Sequence, residues 1–557
     1  MKRYNILGLA VVVLAACAPS APAPTTPAPV PAPVHVGTPG PAAPSASAPV
    51  VREAPRDWQR LDWQTDSVIG ISSERAVREL LAGQQPRRTV TVAVIDGGID
   101  TAHVSLRPNL WSNPKEVPGN AKDDDGNGYV DDVHGWNFIG GADGRDVEYD
   151  THEVTRLYST CRMANPDSVP PDLRARCPAI GADYDRRRGE AERTLLNVKA
   201  ADAALTGAVT ELKKALGTDT VTVAAVRALM PSSGKARQAR SLFLELDAQG
   251  ITERVIAEAL KAYESQIRYG FNTDYNPRGI VGDDYADVNQ RIYGNSDVMG
   301  PDAEHGTHVA GIIGAVPNDS MAGIASAVKL MMVRTVPDGD ERDKDVANAI
   351  RYAVDNGAQI INMSFGKAYS PRKDAVDEAV RYAQEKGVLL VHAAGNDAED
   401  LSRNENFPTP VYNGGGRAPN WIEVGASSWK GLDSLVAPFS NYGRNEVDVF
   451  APGVDILSTV PGGGYERNSG TSMAAPVVSG LAALLMSYYP TLTAADVKKI
   501  IVSSATSYAN QMVVPPESGA RRGPAEPVRF GDLSKSGGIV NAMAAVRMAQ
   551  EMVASTP

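Results

Sequence analysis

Between Thr89 and Ile95 the chain runs through β-branched and apolar residues almost without a break, and the run stops at Asp96. A short apolar stretch with no polar alternation predicts a strand covered on both faces, as in a parallel sheet. Similar runs return at Lys329 to Val336, Gln359 to Ser364, Val388 to Ala393 and Trp421 to Ala426. Between them, Asp345 to Asp355 and Asp374 to Lys386 place apolar residues at helical spacing. Alternating strands and helices predict an α/β fold, a parallel β-sheet sandwiched by helices. In such sheets functional groups gather beyond the C-terminal strand ends. Asp96, Ser364 and Asn396 stand at or just after three of those ends. Ser472 instead opens a helix whose apolar run is Val477 to Tyr489, and Gly538 to Met552 predicts a closing helix.

The periodicity changes between about Gly140 and Asn276, which is Ala-rich and charged. Leu195, Val198, Leu205, Val209, Leu212 and Leu216 recur at spacings of three, four or seven, the stripe of an amphipathic helix. Further helices are predicted at Val221 to Met230 and Ile251 to Tyr263, together forming a helical hairpin or small bundle. This mainly helical insertion should lie near a cleft rim, as a lid, a docking arm or a surface addition with no chemical part. Arg52 to Gln85, with Trp58, Trp63 and an amphipathic Glu74 to Leu81, reads as a lead-in that packs on the main domain.

The N-terminal region has a different character. Lys2 and Arg3 precede a short apolar run, Ile6 to Ala16, too short to span a membrane and typical of an export signal. It ends in Leu14-Ala15-Ala16-Cys17, which resembles a bacterial lipobox and implies lipid on Cys17; the alternative is a plain secretory signal. Ala18 after the cysteine favours an outer membrane, with the protein facing the periplasm or the exterior. Pro, Ala, Thr and Ser then dominate to about Val50, a composition that cannot bury a core and predicts a tether. The expected organisation is a signal peptide (1–16), a tether (17–50), a lead-in (51–88) and a main domain (89–555) interrupted by the insertion (140–276). The 55 basic and 66 acidic residues leave a net charge of -11, which argues against a nucleic-acid partner. Cys161 and Cys177 both fall in the insertion, as a disulfide or two free thiols, and an oxidising compartment favours the disulfide. There is no Cys-x-x-Cys pair to suggest zinc.

Three segments carry candidate chemistry: Val94-Ile95-Asp96-Gly97-Gly98, His305-Gly306-Thr307-His308-Val309-Ala310-Gly311, and Gly470-Thr471-Ser472-Met473-Ala474-Ala475-Pro476. An orienting carboxylate, a base and a nucleophile are the minimum for acyl transfer by a serine enzyme. The three motifs, in this order, resemble the subtilisin-like (subtilase) serine peptidases. Ala393-Ala394-Gly395-Asn396 is similar to that family's oxyanion-asparagine motif, and Ile361-Asn362-Met363-Ser364-Phe365-Gly366 to its substrate-binding edge strand. The resemblance covers Thr89 to Asn137 and Gly279 to Ala549. It implies Asp96, His305 and Ser472 as a triad and Asn396 as oxyanion donor. It also implies substrate contacts at Ser364, Phe365, Gly366, Ala393, Ala394 and Gly395, and protein or peptide substrates. Gly97 stands where many relatives carry Ser or Thr. By the motif match His308 packs behind His305; His103, His134, His152 and His392 read as structural or surface residues. A metal pair with Glu304 is disfavoured because no His-Glu-x-x-His pattern is present. The rival functions are an idle binding lipoprotein on this fold and a calcium-dependent surface protein.

Asp123-Asp124-Asp125-Gly126-Asn127-Gly128-Tyr129-Val130-Asp131-Asp132 resembles the first positions of an EF-hand-type calcium loop. Asp123, Asp125, Asn127, Tyr129, Asp131 and Asp132 are the candidate ligands; the alternative is a solvated acidic turn. The last position of such a loop would fall on His134, so the final carboxylate must be Asp132 or come from elsewhere. Gly282-Asp283-Asp284 with Asp287 is a weaker candidate. No organic cofactor is implied.

Overall fold

The computed structural model describes residues 53–163, 165, 169–517 and 526–555. The segments expected as export signal and tether, with Cys17, lie outside the described residues. Two compact units are present: one comprises Pro55–Leu195 and the chain from Glu258 onward, the other Leu196–Ala257.

The first unit is built on a nine-stranded sheet. Its strands are β1 (Val90–Asp96), β2 (Gly135–Asn137), β3 (Val328–Arg334), β4 (Ile360–Met363), β5 (Leu389–Ala393), β6 (Trp421–Ser427), β7 (Val449–Pro452), and two short ones, β10 (Thr506–Ser507) and β11 (Gly538–Ile539). A separate antiparallel hairpin pairs β8 (Ile456–Val460) with β9 (Gly464–Asn468). The order across the sheet is β10-β11-β7-β6-β5-β4-β1-β3-β2, with every pair parallel except β10 with β11. The chain leaves β1 for β3 on one side and then returns to β4 on the other. The ends of β1 and β4 therefore flank a topological switch, where a parallel sheet opens a crevice.

The principal helices are α1 (Glu153–Cys161), α2 (Pro171–Leu216), α3 (Gly234–Ala248), α4 (Glu253–Ser265), α5 (Glu304–Gly314), α6 (Asp343–Asp355), α7 (Lys373–Glu385) and α8 (Thr471–Tyr488). Ala93 and Ile95 of β1 share a core cluster with Val346 and Ile350 of α6 and Val376 and Val380 of α7. Val92 and Val94, fully buried outside that cluster, point the other way by strand alternation, towards the layer of α5 and α8. Helix α8 is apolar and long enough to cross a membrane, yet it is entirely buried, the signature of a core helix. The lead-in packs on this unit. Trp58 is fully buried and donates its indole N–H to Val454 O at 2.9 Å.

The insertion roots on the same unit. Val154 and Leu157 of α1 cluster with Leu173, Ile180 and Tyr184 of α2 and with Phe271, and Tyr369 packs against them. A disulfide joins Cys161 to Cys177. The second unit comprises the end of α2, a short helix at Val223–Ala228, α3 and the start of α4, around Ala208, Leu212, Val226 and Ala239. Thr222 and Ser233 cap its two inner helices by accepting from the N–H groups of Ala225 and Ala236.

Candidate active site and metal loop

Asp96 ends β1 and is buried. Its Oδ1 accepts from Gly97 N–H at 2.7 Å and lies 2.8 Å from His305 Nδ1. Its Oδ2 is buried with no hydrogen-bond partner; Gly97 has no side chain to supply one. His305 is the second residue of α5, with its side chain about one-third exposed (34%). A protonated Nδ1 donating to Asp96 leaves Nε2 as the free base. Gly306 allows this approach, because a Cβ there would meet Gly98 O at 2.2 Å. His308 is buried, its Nε2 3.1 Å from Glu466 O.

Ser472 is the second residue of α8, where backbone N–H groups have no partner inside the helix. Its hydroxyl donates to Ser364 O at 3.0 Å rather than to His305. The Ser364 hydroxyl in turn donates to Ser472 O at 3.0 Å. Pro476 explains that second bond. Lacking an N–H, it leaves the carbonyl four residues back, that of Ser472, without its helical donor. Asn362, fully buried, ties the pair to the body of α8: its Nδ2 donates to Ser364 Oγ and its Oδ1 accepts from Ser479 Oγ.

Asn396 follows β5. Its Oδ1 accepts from Thr471 N–H at 2.8 Å and from Thr471 Oγ at 3.0 Å. Because the backbone N–H can only donate, the bond fixes which end of the amide faces the helix. Nδ2 is left to face away from Thr471. Thr471 Oγ also accepts from Gly395 N–H. Ala393 and Ala394 are buried, and their carbonyls accept from Asn406 and Asn441.

Beyond β4 the main chain alternates. Phe365 O is 2.9 Å from His392 Nε2, whose Nδ1 is 2.9 Å from Glu423. Lys367 exchanges both main-chain bonds with Phe407. Ser364 O and the N–H and C=O of Gly366 face the other way, as strand alternation requires. Thr471, Asn441, Asn362 and His392 carry supporting roles that the sequence alone does not signal. Thr471 stands inside the Ser472 motif, but nothing local marks the partners of the others, which come from separate strands and loops.

The strip ends in charge. Lys367 is buried, with Nζ 2.8 Å from Asp343, 2.9 Å from Glu153 of α1, and donating to Glu341 O. Glu153 also pairs with Arg156 at 2.6 Å. Burial raises the Glu153 carboxyl, but Arg156 and Lys367 outweigh it and hold the group down at about 2. Glu341 is the opposite case: burial pushes it up to about 8 against the pull of Lys367.

In the acidic loop, Glu116, Asp123 and Asp125 each bring a carboxylate oxygen within 4.8 Å of the others. Glu116 Oε1 accepts from Asp124 and Asp125 N–H, while Oε2 is buried without a partner. Asp132 is buried and accepts from Asn113, Asn127 and Tyr352. Burial pushes its carboxyl up to about 6, against those bonds. Asn127 Oδ1 accepts from Tyr129 N–H, and the Tyr129 hydroxyl donates to Arg291 O. Asp131 turns to the N–H groups of Gly119 and Ala121. Asp283 is taken up by Arg278 and Lys344, whose charges stand where a cation would.

The sequence profile of the subtilase family (peptidase family S8) matches residues 87–520. The chain belongs to the subtilase family. It is 45% identical over 186 residues to the thermophilic serine proteinase of Bacillus sp. (strain AK1), a stretch covering 33% of this chain and 42% of that protein. It is 38% identical over 213 residues to subtilisin E of Bacillus subtilis (strain 168), covering 37% and 52%. To the subtilisin of Bacillus pumilus it is 38% identical over 209 residues, covering 37% and 70%. The chain thus spans about half the length of the first curated relatives it matches. Among solved structures, a protease of Pseudoalteromonas arctica aligns with a TM-score of 0.46 at 19% identity, covering 89% of this subtilase and 98% of that chain. The protease domain of PatA, in a serine-to-alanine mutant, aligns with a TM-score of 0.36 at 32% identity, covering 45% and 82%.

Proposed function

We propose that this subtilase is a serine endopeptidase working through Asp96, His305 and Ser472. The observation that carries the reading is the convergence of three strand ends and two helix N-termini. Asp96 holds His305, while Thr471 aims the Asn396 amide and belongs to the same turn as Ser472. For the reaction the Ser472 hydroxyl has to leave Ser364 O and turn to His305 Nε2. The oxygen then attacks the substrate carbonyl as Nε2 takes the proton. The oxyanion is received by Asn396 Nδ2 and the Ser472 N–H at the start of α8. Collapse breaks the C–N bond, His305 returns the proton to the leaving amine, and water releases the acyl group by the same steps. Substrates are proteins and peptides read mainly through their backbone along Ser364 to Gly366.

The acidic loop is read as a structural calcium site. A buried carboxylate oxygen without a partner, beside two more carboxylates, suits a hard cation. Glu116, Asp123 and Asp125 would hold it. Calcium there would neutralise repulsion among these groups and stiffen the turn after β1. Cys17 is read as a lipid anchor for an extracytoplasmic enzyme on the cell envelope, the outer membrane being favoured. Fluorophosphonate capture at Ser472 tests the catalytic reading.

A further inference from the structure

The serine peptidase reading sets a direction along the cleft. The leaving amine must lie beside His305, which protonates it. The acyl side of the substrate then follows the main chain that starts at the Ser472 contact, Ser364 to Gly366. Along that strip Ser364 is buried, Phe365 half-buried and Gly366 exposed. Ser364 O and both main-chain groups of Gly366 point to the cleft, and those of Gly366 meet no protein partner among the described residues. Two cleft-facing residues two positions apart pair with the first and third residues of an extended peptide.

One residue later the side chain is buried again, and Ala368 to Ser370 after it are half-buried. Lys367 is 5% exposed and anchored to Asp343, Glu153 and Glu341 O. Glu153 and Arg156 belong to α1, the first helix of the insertion root. Beyond them Tyr369 donates its hydroxyl to Asp183 of α2 at 2.9 Å and packs on the cluster of α1, α2 and Phe271. The segment that follows β3 is also built over. Asp338 N–H donates to Glu148 O, and Asp150 N–H to Asp338 O. Gly339 lies so close that a Cβ would stand 2.2 Å from Asp150 O. Arg342 pairs with Asp150 at 2.7 Å.

We propose that the root of the helical insertion walls off the acyl side of the cleft after three residues. The preferred substrates are then peptides and unfolded protein segments engaged by no more than three residues before the scissile bond. Lys367, Glu153 and Tyr369 are specificity-determining residues, outside the chemistry. A fourth residue has to leave the cleft, so it adds no binding that could be expressed in the transition state.

The test is a series of peptide anilides carrying one to five residues before the scissile bond, hydrolysed by the full chain with calcium present. The expected kcat/KM climbs about tenfold or more between one and three residues, as remote binding is expressed in the rate. It then changes by less than about twofold at four and five. In Tyr369→Ala, which removes the Asp183 bond and the ring packed on the root, the fourth residue should regain at least about twofold. A wild-type curve still climbing at four and five, or flat up to three, overturns the proposal. So does an unchanged plateau in a folded Tyr369→Ala protein. Absence of hydrolysis across the series, with no fluorophosphonate label on Ser472, overturns the peptidase reading and this inference together.

Discussion

Pro476 has no N–H to return to its helix, and the carbonyl it leaves unpaired is that of Ser472, which Ser364 takes up. The start of α8 and the strip beyond β4 are thereby joined by two reciprocal hydroxyl bonds. Thr471 does the matching job for Asn396, holding its oxygen so that its amide is free to donate. Asn396→Ala should therefore lower kcat on the order of 10²–10³, the loss measured when an oxyanion-hole donor is removed from subtilisin itself, with KM little changed. A comparable loss carried by KM would point to substrate binding instead. Glu341 makes a separate prediction. Its folded-state value of about 8 lies above its ordinary 4.5, because burial disfavours the charge. A raised acid binds its proton more tightly in the folded state, so the wild type loses stability as pH rises from 4.5 through 8. Glu341→Gln escapes that loss, and its Tm relative to wild type should rise between about pH 5 and 8 and level off above. A difference that is flat or falls across that range would mean the carboxyl is ionised throughout.

At the scale of elements, the acidic loop is where a bound ion would act. A ligand at about 100 times its Kd stabilises the folded state by about 2.7 kcal/mol, so calcium should raise Tm and chelation lower it. Glu116→Gln should remove most of that calcium-dependent rise, measured by thermal melts with and without the ion; an equal rise in both proteins would place the cation elsewhere. Glu116 is invisible in the loop motif because it precedes the aspartates and reaches them only through the fold. Strands are more legible. β1 and β3 to β6 end within two residues of the apolar runs that predict them, since a strand buried on both faces leaves no ambiguity of phase. The insertion is only partly legible. Helix α2 starts at Pro171, well before the apolar stripe at Leu195. Its first half carries Pro178, Gly181 and Gly189, which read as breakers, and is held by ion pairs such as Arg186 with Glu190 and Arg188 with Glu192. Helix α3 lies outside the predicted helices, although Ser233 supplies the cap that announces it. Gly538 to Ile539, expected as the start of the last helix, joins the sheet, and that helix begins at Ala542.

At the scale of the whole molecule, the sheet brings together groups that the sequence keeps far apart. Asp96 and His305 are 209 positions apart and 2.8 Å apart in space. The long insertion between them does not disturb that contact, because both ends of its root pack on the unit that carries the site. The proposed triad and Asn396 stand out in the sequence because each sits in a dense local motif; the bonds that hold them do not, because each joins two distant segments. The proposed mechanism requires Ser472 to be an activated nucleophile. Its most direct test is labelling of the mature soluble chain with a fluorophosphonate, followed by mass spectrometry of the modified peptide, with Ser472→Ala as control. We expect one adduct, on Ser472, abolished in Ser472→Ala. A folded wild-type protein that takes no label would contradict this and leave a binding protein on a subtilase fold.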